Sequence, residues 1–275
     1  MTPAPPTPSF DADFSGDLVA DLDFALSLAD GADAVSMARF DAPDLRVSTK
    51  PDSSHVTEAD LATERALRAR IEADRPRDGI FGEEYGTTGA TERQWIIDPI
   101  DGTANYLRGI PMWATLIALA IDGVPRVGVV SQPALGRRWW GATGLGAWTR
   151  TPDGRERRLH VSSVDDVAAS SVSFQSIGQW RDAGREAELE NLTRAVWRDR
   201  GYGDAWPFML LAEGRLELVA EFGVKEYDIA AHVPIIREAG GRVTSFDGAD
   251  DLAARSVLAT NGVLHDSFLE LLHRP

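Results

Sequence analysis

A mixed α/β (α+β) fold is what the sequence predicts, on three observations. Strand-like and helix-like apolar patterns alternate through the second half of the chain. In the first half, two long apolar runs are joined by Asp122-Gly123, a strong hairpin signal. Just before them the run Trp95-Ile96-Ile97 ends in Asp98-Pro99-Ile100-Asp101-Gly102-Thr103. An apolar run without alternation marks a strand covered on both faces, and such a strand delivers charge only at its end. The carboxyl ends of sheet strands are where open α/β folds place their sites.

In chain order, the Pro-rich opening has neither a basic segment nor an apolar one, so residues 1–15 are expected to be a disordered tail, not a signal peptide. Leu18, Leu22, Ala25, Leu26, Ala29, Ala32 and Val35 recur at helical spacing and predict a packing helix over residues 17–40. Pro43 breaks the pattern, and residues 45–48 read as a short strand. A second helix runs from about 56 to 74, with Thr57 and Asp60 spaced as a capping box. Ile80 and Phe81 close a strand, leaving Glu83 and Glu84 in a Gly-flanked loop. The strand ending in Asp98 must stop at Pro99, which lacks a ladder donor. Runs 113–121 and 124–131 form the hairpin, strands at 138–141 and 146–149 extend it, and Thr151-Pro152-Asp153-Gly154 is a turn.

Composition places the boundary between halves near 162–166, dividing an N-terminal α+β domain (16–163) from a C-terminal α/β domain (164–275). The second domain reads as strand 169–174, helix 186–197, helix 205–212 closed by Gly214, and strand 216–220. A helix from Tyr227 to Glu238 follows, kinked at Pro234 and ended by Gly240-Gly241. Strands 242–245 and 256–259 and helix 264–272 finish the chain. There is no internal repeat.

At 275 residues and 43% hydrophobic content, the chain can bury one large or two moderate cores. No segment approaches the roughly 20 apolar residues of a membrane span. The absence of cysteine excludes disulfides, thiolate metal sites and Cys nucleophiles, and fits a cytoplasmic protein. A formal charge of −15 disfavours nucleic acid and is compatible with cations or a cationic substrate.

Asp98, the Ile100 carbonyl and Asp101 project together from the strand end, and such oxygens suit a hard divalent cation. Gly102 lets backbone approach an anion, and Thr103 offers a hydroxyl and N–H groups to phosphate. An isolated Asp-Pro-x-Asp-Gly is equally an ordinary solvated turn. Context decides between them. Gly82-Glu83-Glu84, then Trp95 to Thr103, then Tyr227-Asp228 with Ala230 beyond, together resemble the inositol monophosphatase family of magnesium-dependent phosphatases. The resemblance extends from about Asp17 onward.

That resemblance implies a five-layer αβαβα sandwich, a homodimer, and two or three Mg²⁺ ions, with Mn²⁺ as an alternative. It implies Glu83, Asp98, the Ile100 carbonyl, Asp101 and Asp228 as metal ligands, and Asp60 as ligand to a further, weaker ion. Capping explains Asp60 and Asp228 without metal. Glu83 and Thr103 would orient the attacking water, with Asp98 catalytic through the metal. Asp101, Gly102 and Thr103 would meet the substrate. Lys50 stands where the family has a lysine near the site, and Glu84 lies outside the ligand set. Glu226-Tyr227-Asp228 departs from the family's Cys-Trp-Asp but keeps an aromatic residue before the ligand.

Gly203 and Ala205 match the family's substrate side, but Asp204 replaces a small hydroxyl residue. Together with Arg108 to Trp113, Arg138-Trp139-Trp140 and Gly201 to Asp204, this resembles the actinobacterial histidinol-phosphate phosphatases, and places Glu221 at the substrate. L-Histidinol phosphate, a histidine-biosynthesis intermediate, is therefore the favoured small phosphorylated substrate, its ammonium and imidazole meeting Asp204 and Glu221. The alternatives are that Asp204 merely caps the helix at Ala205, that the substrate is inositol 1-phosphate or a sugar phosphate, or that the protein binds divalent cations without catalysis. Haloacid-dehalogenase-like phosphatases use Asp-x-Asp, whereas the spacing here is Asp98-x-x-Asp101, which argues for direct attack by water. The histidines, His55, His160, His232, His265 and His273, show no metal-ligand spacing.

Overall fold

A computed structural model describes residues 15–51 and 54–273. The expected tail lies outside them, apart from Ser15, which begins the first helix. The chain runs through α1 (Ser15–Met37), the ribbon β1 (Val47–Thr49) and β2 (His55–Thr57), α2 (Glu58–Asp74), β3 (Gly79–Gly82), β4 (Gly86–Thr88) and β5 (Arg93–Asp101). One helical turn, α3 (Thr103–Tyr106), leads to β6 (Ala114–Ile121), β7 (Val124–Gln132), β8 (Arg137–Ala142), β9 (Gly146–Arg150) and β10 (Glu156–Arg158). The second half comprises β11 (Ser171–Ser173), α4 (Ile177–Asp182), α5 (Glu186–Ala195), β12 (Arg198–Arg200), α6 (Ala205–Ala212) and β13 (Leu218–Phe222). It closes with α7 (Glu226–Ile229), α8 (His232–Glu238), β14 (Arg242–Thr244), β15 (Ser256–Thr260) and α9 (His265–Leu272). Among the described residues no helix is long and apolar enough to cross a membrane.

Two sheets organise the molecule. The larger has the order β10-β9-β8-β7-β6-β5-β3-β4 and is antiparallel except between β3 and β5. The smaller, mixed sheet has the order β12-β11-β13-β15-β14. Alternation along the strands sorts side chains between layers. Trp95, Ile97, Ile117 and Leu119 face α1 and α2, whereas Ile96, Leu116 and Ala118 face α6 and α8. In the smaller sheet Val219 shares the core of α6 and α8, while Leu218 and Ala220 face α4, α5 and α9. The five α-β-α-β-α layers expected from the resemblance are thus present, and the middle helical layer is packed against both sheets.

The middle layer depends on glycine. A Cβ on Gly128 of β7 would lie 2.1 Å from the Ala231 carbonyl oxygen, and one on Gly141 of β8 would lie 3.0 Å from the Ile235 Cα. Gly128→Ala is expected to push α8 off the sheet and cost about 3 kcal/mol, read as a lowered melting temperature.

Two proline expectations need correction. Strand β5 continues through Pro99 to Asp101, because the register with β6 shifts between Asp98 and Asp101. At that bulge no ladder donor is required of residue 99, and the Pro99 carbonyl accepts from Thr115 Oγ1 at 2.8 Å. The helix expected from Tyr227 to Glu238 is two helices, broken at Ala230-Ala231. Pro234 has no N–H for the Ala230 carbonyl four residues earlier, so the helical hydrogen-bond ladder is interrupted there while Ala230 and Ala231 keep right-handed helical backbone. Elsewhere, the expected strand at 45–48 lies at Val47–Thr49, and the helix ending at 197 stops at Ala195. Helix α4 and strand β12 are elements not anticipated.

Candidate metal and phosphate site

The bulge in β5 shapes the centre of the site. Asp98, 2% exposed, folds back so that its Oδ1 accepts from the Ile100 N–H at 3.0 Å. Gly102 takes a left-handed φ of 88° and starts α3 at once, bringing Thr103 over the strand end. Thr103 Oγ1 lies 3.0 Å from Asp60 Oδ1 and 3.1 Å from the Ile100 carbonyl oxygen. Asp60 also completes the capping box of α2, accepting from the Thr57 N–H at 2.8 Å. Capping and proximity to the strand end therefore coexist in one fully buried residue.

The β3–β4 turn supplies the next carboxylates. Lys50 Nζ donates to Glu83 Oε1 at 2.8 Å and to Glu84 Oε1 at 2.7 Å. The loop is anchored by Glu64, a buried α2 residue that sequence reasoning missed. It accepts from the N–H groups of Glu84 at 2.7 Å and Tyr85 at 3.1 Å and pairs with Arg68. A Cβ on Gly82 would lie 2.1 Å from Glu64 Oε1. That glycine, beside a helix-borne glutamate, is the signal that was available.

The far wall comes from the second half. Asp228 in α7 accepts from the Lys225 N–H at 2.7 Å. Glu221, on β13, is 3% exposed, and its Oε1 has no hydrogen-bond partner among the described residues. Asp204 occupies the position before α6 without capping it, which removes the capping alternative. Asp101 caps instead, its Oδ2 accepting from the Ala205 N–H at 2.6 Å. Asn105, also unanticipated, donates to Asp204 Oδ2 at 2.9 Å and to the Met112 carbonyl at 2.7 Å.

These carboxylates feel one another. Burial first, then the charges of Glu83, Asp101, Asp228 and Asp60, holds Asp98 well above its usual range. Burial with Asp204 and Asp228 does the same for Asp101 and Glu221. Burial also pushes Asp228 up to about 7, Asp204 to about 6 and Glu84 to about 7. Among the described residues, Lys50 is the one ammonium in direct contact with the cluster. An oxygen-only donor set with this excess of negative charge fits hard divalent cations. Among the described residues no three of these side chains already converge as a metal cage; the fit rests on donor chemistry and uncompensated charge.

Other singled-out residues lie elsewhere. Arg138 is buried against Asp30 and Asp33 of α1, and the Trp139 indole donates to Glu213 at 2.8 Å. His232 stacks on Phe208 with centroids 4.5 Å apart, and burial pushes it down to about 3, so it stays neutral. His265 lies between Thr244 and Thr260.

Comparison with known proteins agrees with this architecture. The model of the inositol monophosphatase family matches residues 17–274. A histidinol-phosphatase of Mycobacterium tuberculosis is 51% identical, over 92% of this chain and 98% of that protein. One from Streptomyces coelicolor is 48% identical, over 94% and 98%. An inositol monophosphatase structure from Anabaena superposes with a TM-score of 0.80 at 32% identity, covering 93% of this chain and 96% of the other. The chain belongs to the inositol monophosphatase family.

Proposed function

We propose that this protein hydrolyses L-histidinol phosphate to L-histidinol and inorganic phosphate in a metal-dependent reaction, by direct attack of water. The observation that carries the substrate choice is the pair Asp204 and Glu221, a half-buried and a fully buried carboxylate that both act on Asp101. A polyol would leave these charges without a counter-ion, whereas an ammonium and an imidazolium supply one. The names borne by relatives at 51% and 48% identity support the same choice.

Glu83, Asp98, the Ile100 carbonyl, Asp101 and Asp228 would hold Mg²⁺ or Mn²⁺, with Asp60 beside a further ion. Divalent cations held there supply charge to the phosphoryl oxygens and acidify a water. The protein's own groups do the rest. Thr103 Oγ1 donates to Asp60 and so turns its lone pairs toward the attacking water, which Glu83 orients from the other side. The left-handed Gly102 presents its own N–H and that of Thr103 to the phosphate. Water oxygen joins phosphorus, the ester P–O bond breaks, and phosphate and the alcohol leave.

Phosphate release from L-histidinol phosphate and inositol 1-phosphate, measured side by side with Mg²⁺ and an EDTA control, tests this. Preference for histidinol phosphate by at least about 10²-fold in kcat/KM is expected, since a site built for charged groups rejects an analogue lacking them. Preference for inositol 1-phosphate would overturn the substrate and keep the chemistry. No metal-dependent release from either would overturn the enzyme.

A further inference from the structure

In the loops that carry Asp204 two non-glycine residues have left-handed backbones, Gln175 with φ 55° and Asp204 with φ 54°. They are joined: Gln175 Oε1 accepts from the Asp204 N–H at 2.7 Å. With ψ at −155°, Asp204 sits in a region that almost only glycine occupies. Such a conformation persists only where its surroundings over-determine it. Here they do so from three sides. Tyr202 N–H donates to Ser173 Oγ at 3.3 Å, so the loop before α6 is fastened to the end of β11. A Cβ on Gly201 would lie 2.8 Å from the Gln175 carbonyl oxygen, and one on Gly203 would lie 3.1 Å from Gln175 Oε1, so both glycines let the loop close onto Gln175. From α3, Asn105 Nδ2 reaches Asp204 Oδ2 at 2.9 Å.

An Asp at this position ordinarily adopts extended backbone and turns its carboxylate onto its own helix. That outcome is disfavoured twice over, because Pro207 at the third helical position has no N–H to offer and Gln175 holds the Asp204 peptide rotated away. The carboxylate instead meets Asn105, which donates to its Oδ2 at 2.9 Å, and the Gln175 side chain, whose hydrogen bond favours its charged form. We propose that Gln175 is a positioning residue for substrate specificity: its side-chain amide holds Asp204 in a glycine-like conformation and thereby keeps that carboxylate facing the cationic part of the substrate. This rests on the assignment of Asp204 to substrate recognition made above. Without the amide acceptor, Asp204 is free to relax to extended backbone and swing toward the start of α6, which relieves strain while withdrawing the recognition group.

The test uses the Mg²⁺-loaded full chain and L-histidinol phosphate. Gln175→Ala is expected to raise KM about tenfold, the scale of one charge-assisted contact, with kcat changed less than about threefold and the melting temperature within about 2 °C. Gln175→Glu keeps an acceptor for the Asp204 N–H but loses the amide donor and sets a second charge beside the carboxylate, so it is expected to raise KM at least as much as Gln175→Ala, again with little change in kcat. Because Gln175 acts through Asp204, adding Gln175→Ala to Asp204→Ser should worsen KM by less than about twofold. Losses that multiply in the double variant, or a fall in kcat shared equally by both Gln175 variants, would overturn the proposal and leave Asp204 as the recognition group. An unmoved KM in Asp204→Ser alone would remove the recognition role itself, and the positioning role with it.

Discussion

Asp98→Asn is expected to lower kcat by roughly 10³- to 10⁴-fold at saturating Mg²⁺, and to raise the melting temperature of the metal-free protein. Both effects come from the same fact. Asp98 is fully buried, and its neighbours Glu83, Asp101, Asp228 and Asp60 all disfavour its charge. In the metal-free fold that charge is a cost, and an amide removes it while keeping the Oδ1 acceptor for the Ile100 N–H. In the proposed metal site the same charge would hold a divalent cation, and an amide oxygen would replace it poorly. Steady-state phosphate release and thermal melts in EDTA check the two halves separately. Undiminished turnover would show that Asp98 is no ligand.

The second large effect is on stability against pH. In the folded protein Asp228 and Glu84 are pushed up to about 7 and Asp204 to about 6, from ordinary values of 3.8 to 4.5. Burial is the leading cause in each. The folded state therefore binds more protons than the unfolded chain between about pH 4 and 7, so stability falls as pH rises through that window and levels off above it. Lifting one carboxylate from 3.8 to about 7 corresponds to roughly 4 kcal/mol. Melts in EDTA at pH 5.5 and pH 8 should show the lower midpoint at pH 8. Mg²⁺ should raise the pH 8 midpoint most, since it binds the charged form. A pH-independent midpoint in EDTA would mean that burial does not hold these carboxyl groups above their ordinary range in the folded state.

Local rules carried much of the fold. Asp122-Gly123 turns the β6–β7 hairpin with φ of 49° and 77°, the pair of left-handed residues that such a turn requires. Helix α6 spans the predicted residues, and the capping box at Thr57 and Asp60 is present. What local rules missed depends on distant partners. Pro99 was read as a stop because the bulge that frees it from the ladder is a property of β6 as much as of β5. Pro234 was placed correctly, but its consequence falls on Ala230, four residues upstream. Strand β12 is a short edge segment whose pairing with β11 decides its conformation.

The candidate site divides in the same way. Asp98, Asp101, Gly102 and Thr103 could be picked out from their own strand-end motif, and Glu83 and Asp228 through the resemblance. The groups that aim them could not. Glu64 acts on residues twenty positions away, Gln175 on one twenty-nine away, and Asn105 on one ninety-nine away. No periodicity or spacing rule couples such positions, because the coupling exists only once the layers are stacked.

The bond from Ala205 to Asp101 spans 104 positions of sequence, and this bears on synthesis in the cell. A ribosome adding roughly 5–20 residues per second takes at least several seconds to pass from one partner to the other. Within that interval the last strands of the larger sheet are made, ending at Arg158, and at that point Asp98 and Asp101 stand at the end of β5 but neither Asp204, Glu221 nor Asp228 has been synthesised. A nascent chain therefore carries its acidic strand end without the opposing wall, and chemistry begins only after the last third of the polypeptide has docked.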